Sequence, residues 1–207
     1  MKKKTFFLFA IIIFLIILIS IFYINASKKS KIGHTNNSQE IVENILNISS
    51  YNATIDVKVV SNKNENQYVI KQEYQSQDSN SQEVIEPTNI AGTKIIREGN
   101  KLTLENSRLN LSSIIENYQY ISANSLDLSS FIEDYKNDSK ANYEENQNEI
   151  KMYAVGNTDN NLNNNANSKC KKTLYIDKKT NLPTQLEIEW TNKNNRVYIL
   201  YNEVEIK

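Results

Sequence analysis

The chain has 207 residues, with 24 Lys and Arg balanced by 24 Asp and Glu, one histidine and one cysteine. A single cysteine rules out an internal disulfide, and a single histidine argues against the usual zinc sites and Ser-His-Asp chemistry. Three of the lysines precede the first apolar run, so the remainder carries 21 basic against 24 acidic side chains, the opposite of the basic stripe that nucleic-acid binding needs.

Lys2, Lys3 and Lys4 lead into an apolar run from Phe6 to Ile19 that Ser20-Ile21-Phe22-Tyr23-Ile24 extends. Its length approaches the ~20 residues that span a bilayer. A cleaved signal would want small residues at the end of the run, and Ile24-Asn25-Ala26 puts a bulky residue there. Ser27 stands where a lipoprotein would carry its acylated cysteine. The reading is therefore an uncleaved signal-anchor over 6–24, with 1–5 on the cytoplasmic side and a flexible stalk over 25–37. Lys28, Lys29 and Lys31 nearly cancel the positive-inside bias. The five residues before the span are too few for a domain, so the C-terminal part is expected outside the membrane.

Residues 38–207 are enough for one domain with a real core. Asn37 is a candidate N-cap with Glu40 at the third helical position, a capping-box pattern. Ile41, Ile45 and Ile48 then share one face, predicting a helix over 38–48. The period switches at Tyr51, where Tyr51, Ala53, Ile55, Val57 and Val59 alternate with Asn52, Thr54, Asp56 and Lys58, a strand with one wet face. A turn over 62–66 leads to a second strand with Tyr68, Ile70 and Tyr74 on one face. Short strands are predicted near 82–86 and 92–97, and Glu98-Gly99-Asn100-Lys101 suits a two-residue hairpin turn into Leu102 and Leu104. Helical spacing is read at 111–118. It recurs at Leu128, Phe131, Ile132 and Tyr135, behind the capping candidate Asp127. Gly156 to Asn167 is so rich in asparagine that it reads as a loop. Strands resume at 148–155, 172–177, 184–190 and 196–206, with Pro183 at a strand start because it lacks a ladder donor. The sum is α+β: a curved antiparallel sheet in two meanders, with helices packed on its concave side.

Residue patterns for catalysis are scarce. No HExxH, Walker loop, GxGxxG or nucleophile elbow occurs, the histidine is His34 in the stalk, and no cofactor motif is present. Paired carboxylates could serve a glycosidase, but Glu133/Asp134, Glu144/Glu145 and Glu187/Glu189 read first as wet faces. Cys170 sits between Lys169 and Lys171-Lys172, which could lower its pKa, yet no base or resolving thiol accompanies it. Twelve tyrosines mostly occupy core spacings. Tyr118 and Tyr120, on the loop between the predicted helices, are the candidates for partner contact.

The stretch from Thr173 to Thr184, with its Ile176-Asp177-Lys178-Lys179-Thr180-Asn181-Leu182-Pro183 hairpin, followed by Leu186-Glu187-Ile188, resembles the closing strands of LolA-like envelope proteins. Leu109-Asn110-Leu111-Ser112, Leu126 to Phe131 and Val84-Ile85-Glu86-Pro87 resemble the GerS-like germination lipoproteins of clostridial spores. The resemblance covers roughly 39–207 and implies a half-barrel of antiparallel strands closed by helices, without catalysis of its own. It also implies a partner: a spore-cortex N-acetylmuramoyl-L-alanine amidase that helps to make muramic-δ-lactam. Broader LolA-like proteins instead imply a carrier of lipid or lipoprotein acyl chains. Ser27, in place of the lipidated cysteine, leaves tethering to the 6–24 helix. Open sheet edges can pair, so a homodimer is compatible with this reading. No family site residue carries over to a named position.

Overall fold

The structure, a computed structural model, describes residues 36–76, 78–117, 126–157, 169–190 and 195–207. The signal-anchor over 6–24, nearly all of the stalk and the Asn-rich stretch over 158–168 lie outside the described residues. Among the described residues, no helix is long and apolar enough to cross a membrane.

Among the described residues, eleven strands form one antiparallel sheet: β1 (Tyr51–Val60), β2 (Glu65–Ser76), β3 (Ser79–Glu86), β4 (Thr93–Glu98), β5 (Lys101–Asn106), β6 (Leu111–Ile115), β7 (Asn142–Glu145), β8 (Glu149–Asn157), β9 (Lys169–Asp177), β10 (Leu182–Trp190) and β11 (Arg196–Ile206). Helix α1 (Asn36–Leu46) precedes β1, and α2 (Leu128–Asn137) lies between β6 and β7. The sheet order is β6-β5-β4-β3-β2-β1-β11-β10-β9-β8-β7. The first and last strands therefore meet in the middle and two meanders run outward from them. β6 and β7 are opposite edges of the sheet, and α2, which lies between them in the chain, packs over one face against β8.

The two-residue period in β1 buries Tyr51, Ala53, Ile55 and Val57 beneath the helices and leaves Asn52, Thr54, Asp56 and Lys58 half-exposed on the other side. β8 to β11 follow the same rule with Ile150, Met152, Leu174, Ile176, Leu186, Ile188, Val197 and Ile199. Ile41, Val42 and Ile45 of α1 and Leu128, Phe131 and Ile132 of α2 complete a single core with them. The cover is one-sided. On the helix-facing side of β4 to β6, cross-strand register aligns Ile95 with Leu104, and Leu102 with Ile115. Ile95, Leu104, Leu111 and Ile115 all remain exposed.

A seam of buried polar groups fixes where α2 begins. The Leu128 backbone N–H donates to the Tyr51 hydroxyl at 3.0 Å, and the Gln82 amide donates to Asp127 Oδ1 at 2.6 Å. The Gln72 amide reaches the Leu126 carbonyl at 3.3 Å and Asp127 Oδ1 at 3.4 Å. Asp127 is the N-cap residue, as expected, but its side chain makes no cap hydrogen bond. It is used instead to tie the helix start to β2 and β3.

Three expectations need correction. The helix expected over 111–118 is not found at 111–117: 111–115 form β6, paired to β5 from Leu102↔Ile115 to Asn106↔Leu111, and 118 lies outside the described residues. The apolar spacing of Leu111, Ile114 and Ile115 fits a helical turn or a short strand, and the ladder offered by β5 decides. Asn37 lies inside α1, not at its cap. Strand β7 was not anticipated, because four polar residues, Asn142–Glu145, carry no apolar period and form a strand only through β8.

Tyr201 points into the core with a hydroxyl that has no hydrogen-bond partner among the described residues. Burial, and then the charge of Asp127, push its pKa above the ordinary phenol value. Burial and Glu187 likewise push Tyr175 up to about 12. Both phenols hold their protons more tightly folded than unfolded. Their contribution is therefore complete below the unfolded value of about 10 and lost as pH rises through the folded values. Denaturant titrations should show stability falling between pH about 10 and 12. Tyr201→Phe should flatten part of that slope and change stability at pH 7 by no more than about 1 kcal/mol, since it removes an unsatisfied group.

Candidate functional site

A concavity lies on the sheet face opposite the helices. Parity places it there: Ile55 and Val57 point to the core, so Asp56, Lys58 and Val60 point outward. Register extends that outward face across five strands. Glu86, Val69, Asp56, Leu200 and Gln185 form one cross-strand row. Gln67, Lys58, Tyr198 and Glu187 form the next. Glu65 and Val60 begin a third. The groove built on these rows has a volume of about 840 Å³ and is bounded by Glu86 and Pro87 at the end of β3. Lys58 Nζ is 2.8 Å from Glu65 Oε1, which leaves Asp56 and Glu86 as further acids on the lining. A smaller pocket of about 260 Å³ lies on the helix side, between Leu46, Ile48, Tyr74, Arg97, Glu133 and Lys136.

Beneath α2, charge is used for architecture. Lys172 on β9 is fully buried, and its Nζ is 2.6 Å from Asp134 Oδ2 and 3.1 Å from Ser130 Oγ. Gly156 on β8 lets that carboxylate approach the sheet: a Cβ there would lie 2.5 Å from Asp134 Oδ2 and 2.9 Å from Cys170 Sγ. Asp138 Oδ2 accepts from the Val155 backbone N–H at 2.9 Å, a second tie from the end of α2 to β8. At the far end, Glu145 on β7 accepts from Lys178 Nζ at 2.7 Å and from the Ser38 hydroxyl of α1.

The family model of YdcC-like sporulation proteins matches residues 3–207. The chain belongs to this family. No curated protein matches it. Among solved structures, the YdcC-like chain is similar to the LolA superfamily protein NE2245 of Nitrosomonas europaea, at 12% identity and a TM-score of 0.42 over 82% of this chain and 93% of that one. It is similar to a chain in the structure of the complex between the CwlD amidase of Clostridioides difficile and the GerS lipoprotein, at 20% identity and a TM-score of 0.41 over 84% and 94%. LprF of Mycobacterium bovis aligns at 9% identity and a TM-score of 0.41 over 82% and 93%.

The sequence-level candidates fare differently in this YdcC-like protein. Tyr118 and Tyr120 lie outside the described residues. In two of the carboxylate pairs one member is taken up by a lysine, Asp134 by Lys172 and Glu145 by Lys178, while Glu144 is exposed. Glu133 is half-buried beside the small pocket, its carboxyl raised by desolvation and by Asp134. Glu187 stays on the outward face, and Glu189 pairs with Arg196 at 2.8 Å. Among the described residues, no group of His, Cys, Asp and Glu could hold a metal ion. Cys170 reverses the expectation drawn from its lysine neighbours. It is fully buried, and burial pushes its thiol up by more than the Lys172 ammonium pulls it down. It should therefore resist iodoacetamide in the native protein and label only as the fold opens with denaturant.

Sequence reasoning missed the outward groove. Its residues come from β1, β2, β3, β10 and β11, and no local pattern announces a surface assembled from so many segments. A signal for buried Lys172 was present, since Cys170, Lys172, Leu174 and Ile176 share one parity.

Proposed function

We propose that the protein is a non-catalytic, membrane-tethered envelope protein that binds and supports a spore-cortex N-acetylmuramoyl-L-alanine amidase. The observation that carries this reading is membership of a sporulation family across residues 3–207. The GerS-like segments at 84–87, 109–112 and 126–131 point to the same kind of partner. The described structure is consistent with a protein that works through its surfaces: its buried charges, Lys172 with Asp134 and Lys178 with Glu145, bind element to element. The tether is the 6–24 segment and the domain stands outside the membrane. Deleting the gene in a sporulating host should lower the muramic-δ-lactam content of the cortex, measured by muropeptide chromatography. Unchanged δ-lactam would sink the proposal.

A carrier of lipid or lipoprotein acyl chains is the second reading. One observation favours it, the exposed apolar stretch of Ile95, Leu104, Leu111 and Ile115 on the helix-facing side. Against it, Ile55, Val57, Ile70 and Leu186, which face the helices from the sheet, are packed into the core and line no cavity there. Native mass spectrometry of the purified protein separates the two: a co-purifying lipid supports the carrier, and a bare chain removes it.

A further inference from the structure

We propose that the outward groove on β1, β2, β3, β10 and β11 docks an extended, basic and aliphatic segment of a protein partner. This deepens the proposed function by naming the surface and the chemistry of recognition, and it rests on that reading only for which protein supplies the segment.

The lining is acidic. Asp56, Glu65 and Glu86 face it against one cation, Lys58, which already lies 2.8 Å from Glu65. Between the acids lies an aliphatic floor: Val69 separates Glu86 from Asp56 in the cross-strand row, and Leu200, 45% exposed, follows Asp56. Glu86 and Asp56 are two strands apart, hence about 10 Å, and Glu65 is four residues from Val69 along β2, about 13 Å. Acids so dispersed suit several cations strung along a chain better than one cationic head on a small molecule. The same charge repels phosphate backbones and anionic headgroups, which leaves protein as the class of partner.

The groove is also in the middle of the sheet. β1, β2, β10 and β11 each have a strand on both sides, so no backbone ladder is open and a visitor cannot be held by strand addition. Recognition must go through side chains: cations to Asp56 and Glu86, aliphatic groups to Val69 and Leu200. Binding of this kind is salt-sensitive and depends directly on the lining charges.

The test uses the full chain in detergent and two end-blocked, labelled ten-residue peptides, one alternating lysine with valine, the other glutamate with valine, read by fluorescence anisotropy. The lysine peptide should bind at least about tenfold tighter than the glutamate peptide and weaken with salt. The double variant Asp56→Lys/Glu86→Lys should lose about tenfold or more, while Glu105→Lys, on β5 away from the groove, should stay within about twofold. Glu86→Gln, a near-isosteric change at an exposed position, should lose about threefold and keeps the test open if the double variant misfolds. Equal binding of the two peptides, or undiminished binding by the folded variants, overturns the proposal. Amidase capture read on the same proteins separates the two failures. An amidase held equally by wild type and double variant overturns the groove and leaves the functional reading standing. An amidase ignored by wild type overturns that reading, and the peptides alone then decide the groove.

Discussion

Lys172→Ala is expected to cost about 3–5 kcal/mol, the usual consequence of leaving a buried charge without its partner. Asp134 would then sit under α2 with 9% of its side chain exposed and without the Lys172 ammonium. Against a total stability of roughly 5–15 kcal/mol, that is a large share of the fold. The midpoint of thermal unfolding should drop by about 10 °C or more for a domain of this size. Asp134→Asn should be milder, because an amide is cheaper to bury than a carboxylate, yet still destabilising, because Lys172 stays charged. The joint replacement Lys172→Met/Asp134→Leu should recover most of the loss, since apolar residues of similar volume serve a buried pair's place as well or better. A joint variant as unstable as Lys172→Ala would show that the pair does more than neutralise itself.

Gly156→Ala is expected to cost about 3 kcal/mol, at the upper end of what overpacking does. The new methyl would lie 2.5 Å from Asp134 Oδ2 and 2.9 Å from Cys170 Sγ, both closer than real contacts allow. Neither neighbour can retreat cheaply. Asp134 is short and held by Lys172 at 2.6 Å, and Cys170 is fully buried. The strain should pass into the ion pair, so the two sites must couple. In an Asp134→Ala background, Gly156→Ala should cost at least about 1 kcal/mol less than in wild type, read from urea unfolding of the four proteins in the cycle. Strict additivity would mean that the methyl is accommodated by the backbone of β8 instead.

Where the sequence was readable, one local pattern determined one local structure. Tyr51 to Val59 alternates strictly and is a strand. Glu98 and Lys101 do pair across Gly99-Asn100, with Gly99 at φ +59° as that turn requires. Leu128, Phe131 and Ile132 do face the core from a helix. Reading failed where a partner across space decides. Leu111 to Ile115 became a strand because β5 offered a ladder, and Asn142–Glu145 because β8 did. Asp134 read as a wet-face acid because Lys172, the partner that makes its burial possible, stands 38 positions away in the chain. The groove was invisible for the same reason at larger scale. Its acids, Asp56, Glu65 and Glu86, become neighbours only when β1, β2 and β3 pair.

The most direct test of the binding role is to mix the purified full chain with the host's cortex amidase and run size-exclusion chromatography with an amidase assay on each fraction. The account predicts a co-eluting complex whose amidase activity exceeds that of the amidase alone. Separate elution with unchanged activity would contradict it.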